Sequence, residues 1–239
     1  MTQTDWQIPP SVLRWLGSCP TEEPVALLLR HAARTPLPPD DVGYALPITE
    51  AGAELARELG RLLGRRLRSL RSSPLVRCLQ TAEVLRFGAD ADMPIVSDRL
   101  LGDPGIYVID EQLAWTQWQT LGHEGVMQHL VSSIHALPGM ARPDEAARAL
   151  VGHMLTLAEG APGIHVFVTH DSLVTATAAR LLGQALGSEA WPLYLEGAFF
   201  WRAADGLHVA YRDAHRTTYD HGWPRGERAC RSHHGLKGR

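Results

Sequence analysis

Lysine is nearly missing from this chain: Lys237 is the only one among 23 basic residues. The other 22 are arginines, a bias that a GC-rich genome produces without any functional meaning. With 26 acidic residues the formal net charge is -3, so the composition gives no sign of a basic surface for nucleic acid. Cysteine is also scarce. Cys19, Cys78 and Cys230 are odd in number and lack metal-ligand spacing, which argues against a disulfide framework and for a reducing compartment. No stretch approaches the roughly 20 apolar residues that span a bilayer. The first residues, MTQTDWQIPP, lack the basic start and apolar core of a secretory signal. A cytoplasmic protein without a membrane or nucleic-acid partner is expected. At 239 residues with 45% hydrophobic and 21% charged side chains, it is long enough for one α/β domain with a sizeable core.

What is present is an alternation of apolar runs and helical patterns. VALLLR at 25–30 reads as a buried strand of the kind parallel sheets use. A proline-rich loop leads to TEAGAELARELGRLLGRRL, a helix with Thr49 as N-cap and Leu55, Leu59, Leu62 and Leu63 on its apolar face. Residues 67–73 form a candidate second strand. Ser73-Pro74 then opens a further helix, with serine capping and proline at the first position. PIVSD at 94–98 is a short strand, and 101–142 is a candidate helical cap carrying Trp115 and Trp118. A helix over 144–160 precedes GIHVFVTH at 163–170, a strand that ends in histidine as the first one does. The helix DSLVTATAARLLG follows at once, and 197–213 reads as a hairpin with an Asp-Gly turn. The expected fold is α/β, a three-layer α/β/α sandwich on a mainly parallel sheet with a small cap insertion. Residues 1–214 form one domain in this reading, and 215–239 a basic, loosely ordered tail.

Ligands of such sheets bind outside the carboxyl ends of the strands. There the sequence places Arg30, His31 and Arg34 after the first strand, Arg77 one turn into the helix after the second, and His170 and Asp171 after the fourth. Guanidinium forks match phosphate oxygens and keep their charge at neutral pH. Helix amino termini add positive potential. A neutral imidazole among those cations can attack phosphorus, and a nearby carboxyl group can protonate the leaving alkoxide. That chemistry needs neither metal nor cofactor.

RHAARTP resembles the RHGxRxP motif of the histidine phosphatase superfamily, in particular its acid phosphatase-like branch. SSPLVRCLQTAEVL resembles that superfamily's second motif, and VTHD resembles the HD motif of the acid phosphatase-like branch, where the mutase-like branch usually has histidine-glycine. The three occur in order over roughly 24–185. The resemblance implies that His31 is the phosphorylated nucleophile. It implies that Arg30, Arg34, Arg77 and His170 bind the phosphoryl oxygens, and that Asp171 is the proton donor. Two departures stand out. Ala32 replaces the usual glycine after the nucleophile, and the chain is shorter than the large acid phosphatases, so its cap must be reduced.

Asp171 also stands where aspartate commonly caps a helix, a role Ser172 can take instead. Asp103, in LGDPG, is the alternative acid. It lies where mutase-like relatives carry a catalytic glutamate, though an aspartate before proline is also a common turn residue. Glu83 is expected to face solvent or an arginine. His123, His129 and His135 are expected on the surface or in the cap, not on a metal. Trp115 and Trp118 are expected to pack the cap more than to line the entrance, and His233 and His234 lie in the tail.

The resulting expectation is a phosphomonoesterase acting on a small phosphorylated metabolite through phosphohistidine. The alternatives are a mutase-like phosphotransferase, a phosphoprotein phosphatase and a non-catalytic phosphate-binding module. Neither the substrate nor the oligomeric state is legible.

Overall fold

A computed structural model describes residues 7–37 and 43–218. Seven strands form one sheet in the order β3-β2-β4-β1-β5-β6-β7. These are β1 (Pro24–Arg30), β2 (Leu67–Ser72), β3 (Ile95–Ser97), β4 (Gly163–Thr169), β5 (Gly197–Ala203), β6 (Gly206–Tyr211) and β7 (Ala214–Thr218). Strands β3, β2, β4 and β1 run parallel to their neighbours, whereas β1–β5, β5–β6 and β6–β7 pair antiparallel. The expected mainly parallel sheet is therefore mixed. Tight turns join β5 to β6 and β6 to β7, and such short links permit only antiparallel return. The chain stays in the sheet through Thr218, so the expected boundary at 214 falls four residues early. Strand β7 is retained by its pairing with β6 from Ala214 to Thr218. The rest of the expected tail, with Cys230, His233 and His234, lies outside the described residues.

Six helices cover the two faces: α1 (Pro10–Ser18), α2 (Glu50–Leu63), α3 (Val76–Gly88), α4 (Glu111–Ser132), α5 (Pro143–Ala158) and α6 (Asp171–Leu182). Side chains of a strand alternate between faces, and β1 divides accordingly. Val25, Leu27 and Leu29 join the core under α1, α2 and α3. Ala26 and Leu28 join the core under α4, α5 and α6. All five are fully buried, and each of the larger side chains contributes about 1.5–3 kcal/mol on burial. That anchoring fixes the end of β1 as a rigid support. The three-layer α/β/α sandwich forms as expected.

Local signals acted as anticipated at α2, where the Thr49 side chain accepts from Gly52 N at 3.1 Å. Its buried face is narrower than the leucine pattern suggests. Gly52, Ala56, Leu59, Gly60 and Leu63 are buried, but Leu62 is 51% exposed. Small residues replace leucine there because α2 meets other backbone: a Cβ on Gly60 would lie 2.3 Å from Leu85 O of α3. None of the helices among the described residues is long and apolar enough to cross a membrane.

Candidate active site

Strands β2, β4 and β1 are neighbours, so their carboxyl ends are placed side by side. Hydrogen bonds extend the ladder past each end: His31 N donates to Thr169 O and Ser73 N to Val168 O, both at 2.9 Å. His31 and His170 consequently face each other, their ring centroids 5.6 Å apart and their planes at 67°. The apolar core behind them leaves the two rings no other direction than the sheet edge.

The hydrogen bonds assign both tautomers. His31 Nδ1–H donates to Ala32 O at 2.8 Å, and Arg77 Nε donates to His31 Nε2 at 3.2 Å. The Nε2 lone pair therefore faces the cations. Burial, then the His170 and Arg30 charges, hold the His31 imidazole well below its ordinary value, against the opposing pull of Ala32 O. His31 is a neutral base at physiological pH. Arg77 Nη2 donates to His170 Nδ1 at 3.3 Å, leaving His170 Nε2–H to donate to Ser73 Oγ at 3.0 Å. Burial and the neighbouring arginines, Arg77 first, push His170 down to about 3. Arg77 is itself buried, and its remaining Nη1 donates to Gly43 O at 2.6 Å.

Ser73 is thus not the cap that its position suggests. Helix α3 begins at Val76 with Leu75 in the N-cap position and no side-chain cap; the Ser73 hydroxyl, two residues earlier, accepts from Leu75 N at 3.5 Å as well as meeting His170. Ala32 departs from the glycine of the motif without strain. Its φ is not positive, its methyl group joins the buried core, and its N–H donates to Thr81 Oγ1 at 3.0 Å.

Arg30 of the first motif and Asp171 of the last hold each other. Arg30 Nη2 lies 3.0 Å from Asp171 Oδ2, its Nη1 donates to Pro192 O at 2.6 Å, and its guanidinium stacks 4.3 Å from the Tyr194 ring centroid. Asp171 Oδ1 accepts from Ser172 N at 2.9 Å; the N-cap position of α6 is His170 and no side chain caps it, so neither Asp171 nor Ser172 takes the capping role. Burial alone would raise the Asp171 carboxyl. The charges of Arg30, His123, His31 and His170 outweigh it and hold the group below the usual carboxylate range. Asp171 is a carboxylate in the free site.

These groups open into a cavity of about 620 Å³. His31, Arg34, Arg77, His170 and Asp171 line it, but Arg30 does not. Arg30, expected as a direct oxygen ligand, has its two Nη atoms on Asp171 and Pro192 O, while its buried Nε has no hydrogen-bond partner among the described residues. Arg34 lines the floor, with Nη1 donating to Thr35 O at 2.8 Å. Its buried Nε has no hydrogen-bond partner among the described residues.

The opposite wall comes from the insertion. Asp103 lines it, accepting from the Tyr44 hydroxyl at 2.5 Å, with Arg99 Nη2 3.8 Å away. The bond to Asp103 and burial push the Tyr44 phenol up to about 12. Trp115 and Trp118, expected mainly as packing, both line the cavity, and Trp118 also packs on the core. His123 lines it too, its ring edge-on to Trp191 at 5.4 Å. The expectation of a surface or cap histidine missed its charge effect on Asp171. Glycine at 122, with φ 69° inside α4, was the available signal, since it breaks the helix just before His123. Gly102 was missed altogether. A Cβ there would lie 2.6 Å from Ser73 Oγ and 2.7 Å from His170 Nε2. Glu83 is exposed, as expected. The described residues contain no cluster of three or more His, Cys, Asp or Glu that can hold a metal.

Similarity to known proteins is confined to fold and family. No curated protein matches the chain. Among solved structures, a mycobacterial glucosyl-3-phosphoglycerate phosphatase complexed with VO3 is similar at 21% identity and TM-score 0.50, over 79% of this chain and 98% of that one. A phosphoserine phosphatase mutant from Entamoeba histolytica is similar at 14% identity and TM-score 0.52, over 77% and 94%. A phosphoglycerate mutase from Bacillus anthracis is similar at 15% identity and TM-score 0.50, over 83% and 94%. A family model, "Histidine phosphatase superfamily (branch 1)", matches residues 27–196. The match supports the superfamily that the motifs suggest, and not the finer resemblance to an acid phosphatase-like branch. That model runs from within β1 to the residue before β5 and takes in all three strand ends, and on it the chain belongs to the histidine phosphatase superfamily.

Proposed function

We propose that the protein is a metal-independent phosphomonoesterase that works through a phosphohistidine on His31. The observation that carries this reading is the neutral His31 ring, its Nδ1–H fixed on Ala32 O and its Nε2 lone pair turned to Arg77. A binding module needs the arginines but gains nothing from a nucleophile held in one tautomer. In the reaction, Nε2 displaces the Arg77 contact and forms the N–P bond as the ester P–O bond breaks. Arg34 and Arg77 bind the phosphoryl oxygens, joined by His170 as its Nε2–H turns from Ser73 Oγ to the phosphoryl group, and Arg30 adds its charge. Fixed donors and cations of this kind stabilise the charge that spreads over the transferring group.

Asp171 supplies the proton to the departing alkoxide. It does so although it is ionised in the free site, because a phosphate brought beside it opposes the field of Arg30. A proton carried in on the monoanionic ester then resides on the carboxyl group. In the second half-reaction the Asp171 carboxylate takes a proton from water as water attacks phosphorus and the N–P bond breaks. The ester is thereby hydrolysed to an alcohol and phosphate, and His31 is regenerated. The Arg30–Asp171 ion pair favours a second reading, in which Asp103 is the acid: it lines the same cavity with its nearest cation at 3.8 Å. The substrate class is a small phosphorylated metabolite, supported by a cavity of about 620 Å³ that opens to solvent at its mouth and by solved neighbours that include phosphatases. A cytoplasmic location fits the unpaired Cys19 and Cys78 thiols.

Hydrolysis of phenyl phosphate in EDTA tests the reading. Wild type should turn over, and His31→Ala should lose at least about 1,000-fold in kcat. EDTA-sensitive activity, or activity surviving His31→Ala, overturns it.

A further inference from the structure

Beyond the phosphate-binding floor, the cavity changes character. Its wall and mouth are built by Tyr44, Tyr107, Val108, Trp115, Trp118 and Leu130. Several of these side chains remain open to solvent at the mouth: Tyr44 is 49% exposed, Trp115 38%, and the neighbouring Leu37 41%. Apolar surface left uncovered around a cavity is where an apolar ligand gains most by burial.

Charge on the wall points the same way. The arginines among the described lining residues are Arg34 and Arg77, and both belong to the floor. On the wall stand two carboxylates, Asp103 and Glu111, against one imidazole, His123, which already bears on the Asp171 carboxylate. A second anionic group on the substrate would therefore meet like charge and lose its hydration without a dedicated cation. Glu111 sits in the first turn of α4, so the helix dipole that would otherwise attract an anion there is already answered by a carboxylate.

We infer that the preferred substrate is a phosphate monoester of an extended apolar or aromatic alcohol that carries no second anionic group. This deepens the phosphomonoesterase reading and rests on it for the floor. It sets this cavity apart from one shaped for esters with a carboxylate, such as O-phosphoserine or 3-phosphoglycerate. Trp115 and Trp118 are the surfaces on which the alcohol lies, and Glu111 and Asp103 are the groups that reject a carboxylate.

Binding to His31→Ala, measured by isothermal titration calorimetry, tests the class separately from turnover. The probes are 1-naphthyl phosphate, phenyl phosphate, O-phosphoserine and 3-phosphoglycerate. Expected is at least about tenfold tighter binding of 1-naphthyl phosphate than of either carboxylate ester, equivalent to about 1.4 kcal/mol. Adding Trp115→Ala, a half-exposed position with little effect on folding, should shrink that ratio by about threefold or more. Glu111→Arg, on the exposed end of a helix, should raise the affinity for 3-phosphoglycerate several-fold while leaving 1-naphthyl phosphate within about twofold. Equal or tighter binding of the carboxylate esters overturns the inference, as does a preference untouched by both variants. If the preference is present but wild type hydrolyses no ester, the catalytic reading fails and the ligand class stands. If phenyl phosphate is hydrolysed but no preference is seen, the class fails and the catalytic reading stands.

Discussion

The floor of the cavity is made of polar and charged side chains, most of them tied to one another, whereas its wall, from Asp103 to Leu130, is largely hydrocarbon. On the floor, Arg77 alone ties together His31, His170 and Gly43 O, and each histidine has one tautomer. The wall has the Tyr44–Asp103 bond, an α4 broken at Gly122, and exposed aromatic faces. The first region is tied to three neighbouring strand ends and suits the making and breaking of bonds. The second is adaptable surface and suits discrimination among alcohols. Substitutions that act on one region and spare the other put that division to the test.

The largest expected effect separates the two candidate acids, one on each side of the division. Asp171→Asn should cost about 100- to 10,000-fold in kcat with an alkyl phosphate, and much less with 4-nitrophenyl phosphate, whose leaving group needs no proton. Asp103→Asn should cost both substrates alike and modestly. If Asp103→Asn shows the leaving-group dependence and Asp171→Asn does not, the acid belongs to the wall and the division as drawn is broken.

A smaller effect is expected where wall and floor touch. Gly102 brings the insertion against His170, at a φ of 149° that disfavours any side chain, and its missing Cβ is the space the ring occupies. Gly102→Ala should displace His170 and Ser73 and lower kcat by about 10- to 100-fold, because small displacements of oriented groups are costly. The KM for an apolar ester should change by about twofold or less. Unchanged kcat with a raised KM would mean that Gly102 serves the wall alone.

A last effect, read in a different quantity, is on stability. His31 and His170 have imidazoles lowered in the folded protein, so below about pH 6.5 the unfolded chain binds protons that the folded one does not. Stability should accordingly fall as pH drops from about 6.5 towards 4, by up to about 1.4 kcal/mol per pH unit for each group. His170→Asn should flatten this slope in urea melts at successive pH values. A slope unchanged by that substitution would contradict the burial and cation field ascribed to the floor.

The same division governs how much was legible in the sequence. Floor residues follow strands whose apolar runs declare themselves, and the rule that ligands bind at the carboxyl ends of parallel strands brings His31, Arg77 and His170 together from the sequence alone. Partners across the chain were not legible. Ser73 reads locally as a helix cap, yet it serves a histidine 97 residues away. Arg30 reads as a strand-end arginine, and its partners Asp171, Pro192 O and Tyr194 come from segments distant in sequence. Leu62 fits the helical period of α2, but the approach of α3 narrows the buried face to small residues. The wall was least legible, because Trp115, Trp118 and His123 lie on a helix whose direction depends on the break at Gly122. The antiparallel half was recognised as a hairpin but not weighed as three strands of seven.

The most direct test of the central claim is to quench wild type during turnover of phenyl phosphate labelled in its phosphoryl group, and to map the phosphorylated residue by mass spectrometry. The expected result is an acid-labile, alkali-stable phosphoryl group on His31, absent from His31→Ala. Phosphate released in turnover with no label trapped on His31 at any quench time, or label on another residue, would contradict the account.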